Sequence, residues 1–133
     1  MKKNMKNVNV VVGILLNGNS FLVERRRIDE ELDPGIVCLP GGHVGIGESM
    51  EEALKRELRE ELGIEVKGTR FICRNLYIAS NGERQDAYCY LVTAYDGTLV
   101  CNSAQEIFWE DDVEKLSLKV DRDTIMKLKE TLQ

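Results

Sequence analysis

Glu57, Glu60 and Glu61 are three carboxylates within one and a half turns of an expected helix. At about 100° per residue, the apolar side of that helix is set by Met50, Ala53, Leu54 and Leu58. Glu57 and Glu61 project into nearly the same arc, and Glu60 lies at its edge. Glu51, Glu52, Lys55, Arg56 and Arg59 fall on the opposite side, where charges meet water. Carboxylates crowded on an inward side repel one another and are costly to desolvate unless a cation meets them. Oxygen donors of this kind suit magnesium, manganese or calcium. A helix covered in solvated salt bridges would explain Glu51/Lys55 and Glu52/Arg56 as i, i+4 pairs. It would not explain the misplaced triplet or the glycines before it.

The run reads Gly42, five residues, Glu48, seven residues, Arg56-Glu57-Leu58, one residue, Glu60-Glu61, one residue, Gly63-Ile64. It resembles the signature box of the Nudix hydrolases at every defined position. The flanking order of strands is similar to that family too. The resemblance implies hydrolysis of a nucleoside diphosphate linked to another group, with Mg2+ or Mn2+ as the cofactor. It implies metal ligands at Glu57, Glu60, Glu61 and the Gly42 carbonyl, and an orienting role for Arg56 toward a glutamate of the box. Arg56 is also placed for an ion pair with Glu52. Glu48 is either an outer ligand or a carboxylate favoured by the helix dipole.

Glu106, in Glu106-Ile107-Phe108-Trp109, matches a glutamate that in MutT-like relatives binds metal or acts as general base. The proton acceptor is therefore Glu60, Glu61 or Glu106. Family position also implies phosphate contacts from Arg25 and Arg27, whose guanidinium forks suit oxyanions. Strand alternation puts those two on one face and Arg26 on the other. Gly41 and His43, flanking Gly42, complete the expected substrate contacts, although a lone loop histidine is more often structural. Tyr77, Tyr88, Tyr90 and Trp109 could stack a base, with core packing the safer default.

The chain departs from many relatives at Val37, where a tryptophan often precedes Pro-Gly-Gly. Markers of the ADP-ribose and diadenosine polyphosphate subclasses are missing around Ser80-Asn81. By elimination the resemblance points to a MutT-like enzyme that cuts a nucleoside triphosphate to a monophosphate and pyrophosphate. An ADP-ribose or nucleotide-sugar pyrophosphatase is the alternative. A nucleotide-sensing domain without turnover fits less well, because such domains tend to lose box glutamates.

These residues need a frame. The 133 residues suit one domain with one core, and residues 1–7 read as a flexible basic tail. A net charge of −5 argues against binding a nucleic-acid polymer through its phosphates. No apolar run reaches transmembrane length. Cys38, Cys73, Cys89 and Cys101 lack metal-site spacing and read as free thiols, mostly buried, in a reducing cytoplasm. Family habit adds a homodimer as one form of assembly.

Strands are expected at Val8–Leu16, Phe21–Arg27, Ile36–Leu39, Glu65–Ile78, Asp86–Tyr95, Thr98–Cys101 and Glu106–Glu110. Asn17–Ser20, Asn81-Gly82 and Asp96-Gly97 mark turns. Helices are expected at Glu48–Leu62, closed by Gly63, and at Asp121–Gln133, capped by Asp121 or Asp123. The order implies an α+β chain. The resemblance makes it a Nudix-type α/β/α sandwich around a mixed β-sheet.

Overall fold

The computed structural model describes residues 7–132. The expected tail at 1–7 therefore lies, Asn7 apart, outside the described residues. β-branched residues drive the chain into strand β1 (Val8–Ile14), followed by β2 (Leu16–Asn17) and β3 (Ser20–Arg25). Next come the short strands β4 (Val37–Cys38) and β5 (Gly41–His43), then helix α1 (Met50–Leu62). The long strands β6 (Glu65–Ile78) and β7 (Arg84–Asp96) form a hairpin, and β8 (Glu106–Glu110) follows. A 3-10 turn at Val113–Lys115 leads into α2 (Lys119–Thr131).

One sheet is mixed, in the order β5-β1-β7-β6, with β1 parallel to β7 and the other pairs antiparallel. In the other, β3 is central, with β8 on one side and β2 and β4 on the other, all antiparallel. The apolar face of α1 packs Ala53, Leu54, Leu58 and Leu62 with Val11, Leu15, Leu22, Tyr90 and Val92. A second cluster joins Ile125 and Leu128 of α2 to Ile14, Phe21, Val23 and Leu91. The single expected core is thus two, because successive residues of β1 and β3 face opposite helices. This is the α/β/α arrangement.

Several strand bounds differ, β3 stopping at Arg25 and not at the expected Arg27, and three differences concern the helix ends. Helix α1 begins two residues after Glu48, because Ser49 caps it. The Ser49 hydroxyl accepts from the Glu52 N–H at 3.1 Å, and Glu52 accepts from the Ser49 N–H at 2.9 Å. That reciprocal box also draws Glu52 away from the expected pairing with Arg56. Thr98–Cys101 is not a strand. Its polar backbone instead serves the end of α1: Val100 N–H donates to Leu62 O at 2.9 Å and Asn102 N–H to Glu61 O at 3.0 Å. Cys101, expected beside apolar strand residues, is consequently exposed. Finally, α2 starts at Lys119 without a side-chain cap. Asp121 does not cap it but turns inward, and its Oδ2 accepts from Leu39 N–H at 3.3 Å.

Gly63 closes α1 in the left-handed region at φ 71°, and a Cβ there would come within 2.8 Å of Val100 Cγ2. Removing the N-terminal cap and crowding the C-terminal one test the two ends separately. Ser49→Ala should cost about 1 kcal/mol of stability. Gly63→Val should cost more, roughly 2 kcal/mol or above, since strain adds to the clash. Urea midpoints at unchanged slope measure both.

Candidate active site

Alternation along β3 sets the floor of the site. Leu22 joins the α1 core, so Glu24, two residues on, faces the same side, and Arg26, just past the strand end, lines the cleft with it. Phe21 and Val23 face α2, and Arg25 follows them. A cleft of about 280 Å³ opens between this face of β3 and α1. It is lined by Glu24, Arg26, Arg27, Glu30, Glu57, Glu60 and Glu61, with Ser103 and Ala104 at one edge.

Arg56 organises the acidic side. Its guanidinium donates to Glu48 Oε2 at 2.6 Å and Oε1 at 2.8 Å, a bidentate pair. It also donates to Glu57 Oε1 at 3.0 Å, Glu60 Oε2 at 3.2 Å and the His43 carbonyl at 3.0 Å. Glu48 also accepts from Gly45 N–H at 2.6 Å, and these bonds, Arg56 first, hold its pKa down at about 2. Glu48 is therefore committed to Arg56 and to the loop ahead of α1.

Glu57 lies under the glycine pair. A Cβ on Gly42 would fall inside the Glu57 carboxylate, so only glycine lets β5 pass this close to the helix. Half-burial raises the Glu57 pKa, with Arg56 opposing the rise. Glu61 and Glu24 are more deeply placed. Glu61 Oε2 and Glu24 Oε2 are both buried and have no hydrogen-bond partner. Desolvation raises both pKa values, and each is raised further by neighbouring carboxylates. Glu60 is the most open of the α1 triplet, with its side chain 59% exposed.

Among the described residues, no three His, Cys, Asp or Glu side chains already surround one metal-sized point. The donor set nevertheless fits a hard divalent cation. It is all oxygen, it faces an open cleft, and two buried carboxylate oxygens have nothing else to satisfy them.

The other expected residues lie elsewhere. Arg25 Nε donates to Glu106 Oε1 at 3.0 Å, and Arg25 sits over the Phe108 ring at 5.9 Å. Arg25 and Glu106 are register partners on β3 and β8, and neither lines the cleft. Arg27 lines it and pairs with Asp29 at 2.9 Å. Arg26 lines it too, steadied by Leu32 O at 2.9 Å and Glu30 at 3.4 Å. Sequence reading passed over Glu24 and set Arg26 on the face away from the expected phosphate contacts. Reading the alternation from Leu22, a core residue of the α1 side, would have found Glu24.

A second cavity, also about 280 Å³, adjoins the first through Glu24, Arg26 and Glu30. Val10, Val12, Leu39, Ala87, Gly41, Gly42, His43, Tyr77, Gln85 and Asp121 contribute to its wall. His43 Nε2 lies 2.7 Å from Glu83 Oε1. Its rim is latched: Asp33 accepts from Tyr77 OH and Ser80 N–H, each at 2.8 Å, and Asp33 N–H donates to Ser80 Oγ at 2.9 Å. Of the aromatics, Tyr77 borders this cavity, while Tyr88 and Tyr90 pack toward the core.

The NUDIX domain model matches residues 5–127, nearly the whole chain. The chain belongs to the Nudix family. This Nudix chain is 42% identical over 59 residues to the nucleoside triphosphatase NudI of Enterobacter sp. (strain 638). That match covers 44% of the chain and 42% of NudI, so it spans less than half of the relative's length. A 59-residue match is 41% identical to NudI of Escherichia coli (strain SE11), again over 42% of its length. The crystal structure of the MutT NUDIX hydrolase from Burkholderia pseudomallei superposes with a TM-score of 0.80 at 25% identity, covering 92% of this chain and 98% of that one. The solution structure of the E. coli ORF135 protein gives 0.78 at 27%, covering 96% and 94%. Nudix hydrolases generally use divalent metals. Among the described residues no helix is long and apolar enough to cross a membrane.

Asp121 gives the site a pH signature. Burial raises its pKa from 3.8 to about 7. The folded state then holds a proton that the unfolded chain releases, so stability falls as pH rises from 3.8 through about 7. Asp121→Asn should flatten this part of the melting temperature against pH curve in metal-free protein, with the neutral limb raised relative to wild type.

Proposed function

We propose that this Nudix chain hydrolyses a phosphoanhydride bond in a nucleoside diphosphate linked to another group, with Mg2+ or Mn2+ as cofactor. The favoured substrate is a nucleoside triphosphate, giving a nucleoside monophosphate and pyrophosphate. The observation that carries this reading is the buried, unpartnered Glu61 oxygen beside Glu57, at the floor of a cleft with arginines on its opposite wall.

Glu57, Glu60 and Glu61 would hold the cation with the Gly42 carbonyl. When bound, the cation neutralises phosphate oxygens and lowers the pKa of a coordinated water. Arg56 positions Glu57 and Glu60 by sharing its fork between them. Glu60, the most open of the three, accepts the proton of the attacking water. Arg26 and Arg27 steer the phosphates across the cleft; each would exchange a carboxylate or carbonyl partner for a phosphate oxygen. The nucleoside enters the adjoining cavity, where apolar β1 residues flank polar groups of His43, Tyr77 and Gln85. Glu106 and Arg25 neutralise each other outside the cleft and support the β3–β8 pairing.

The name of NudI, a nucleoside triphosphatase, supports the choice of a triphosphate. ADP-ribose and nucleotide sugars remain the competing substrates. A non-hydrolysing sensor is disfavoured by the intact glutamate triplet. Free thiols at all four cysteines support a reducing, cytoplasmic setting.

A panel of nucleoside triphosphates, ADP-ribose and nucleotide sugars, run with Mg2+ and with Mn2+, should release pyrophosphate from a triphosphate. Products from ADP-ribose alone would move the assignment to the alternative. Glu60→Gln should retain the fold by circular dichroism and lose at least about a hundredfold in kcat. Arg26→Ala should raise KM roughly tenfold, about one charge-assisted hydrogen bond, while Arg25→Ala leaves it unchanged. The opposite ranking would return the phosphate contact to Arg25.

A further inference from the structure

We propose that Glu24 is a ligand of the divalent cation, adding a carboxylate from the sheet to Glu57 and Glu61 of the helix. The inference rests on the reading of the cleft as a cation site and extends it to a residue outside the signature box.

Glu24 occupies the middle of the central strand β3, hydrogen-bonded in register between Cys38 of β4 and Ile107 of β8. Only 3% of its surface is exposed. A strand position so enclosed ordinarily takes an apolar residue, and a glutamate is almost never so buried without a partner. Yet Glu24 Oε2 has none, and among the described residues no Lys or Arg lies within ion-pair distance of it. Arg26, which lines the same cleft, donates to Leu32 O and Glu30 instead.

The direction of the side chain is fixed by its neighbours. Leu22, two residues earlier, packs among Leu54 and Leu58 of α1, so Glu24 points at the next turn of that helix. Glu61 lines the same cleft, and its own Oε2 is also unpartnered. Glu24, Glu57 and Glu61 line one cleft that is open to solvent past Glu60, Arg26 and Ser103, which gives an ion a way in. Two orphan oxygens lining one cleft can share a proton or share a cation. A cation would also draw on Glu57, which Arg56 holds at the same cleft.

The test is Mn2+ binding to the full chain without nucleotide, followed by isothermal titration and by the electron paramagnetic resonance of free Mn2+. Melting temperatures are taken in chelator and in Mn2+. Wild type should bind, and Glu57→Gln should lose binding. Glu24→Gln should weaken binding roughly tenfold or more, melt higher than wild type in chelator, and gain less from Mn2+. If Glu24→Gln binds and is stabilised like wild type while Glu57→Gln does not bind, Glu24 merely shares a proton with Glu61 and the inference falls alone. A wild-type chain that binds no Mn2+ overturns the cation reading of the whole cleft. Should Glu24→Gln not fold, Glu24→Asp carries the same comparison, keeping the charge while withdrawing the oxygens by one methylene.

Discussion

A single guanidinium gathers the acidic wall of the cleft. Arg56 bonds to Glu48, Glu57, Glu60 and the backbone of His43, and so ties together the loop before α1, the helix and the end of β5. Without it, carboxylates on successive turns of α1 would repel each other beside a low-dielectric core. The rest of the site follows from this clamp. Glu48 is consumed by it, which leaves the loop from Gly45 closed over the helix start. Glu57 is held under Gly42, where the absence of a side chain is a steric requirement. Glu61, one turn further, lies beyond the reach of the fork and keeps a bare oxygen.

The opposite wall depends on the period of a strand. Because β3 is central and both its faces are covered, each residue must belong to one core or the other. Leu22 belongs to the α1 side, and that choice delivers Glu24 and Arg26 to the cleft. Phe21 and Val23 belong to the α2 side, and that choice sends Arg25 out to Glu106. A shift of one residue in register would exchange these sets and leave the cleft with a different charge pattern. The register of β3 against β8, from Phe21/Glu110 to Arg25/Glu106, is thus a condition of the chemistry as well as of the fold.

Much of the molecule could be read from its residues. The glutamate triplet announced itself by sitting on the wrong side of an amphipathic helix. The long strand β6 and the short strand β8 were legible to the residue, because their apolar content and bounding turns are local signals. What escaped is non-local. Nothing near Thr98–Cys101 reveals that its N–H groups will serve the carbonyls of α1, since those carbonyls lie far away in sequence. Asp121 has the form of an N-cap, and only the packing of α2 against β4 and Leu39 shows that it turns inward. Arg25 and Arg26 are chemically equal on paper; which one faces the cleft depends on which helix Leu22 meets.

The Asp33–Ser80 latch has a mechanical corollary. The segment between β3 and β4 is pinned at its far end to the tip of the β6–β7 hairpin by three hydrogen bonds, Tyr77 among the donors. Its near end is the run that carries Arg26 and Arg27. The hairpin tip is therefore a lever arm for the arginine rim. Loss of the Ser80 hydroxyl would remove one of the three bonds that pin this segment.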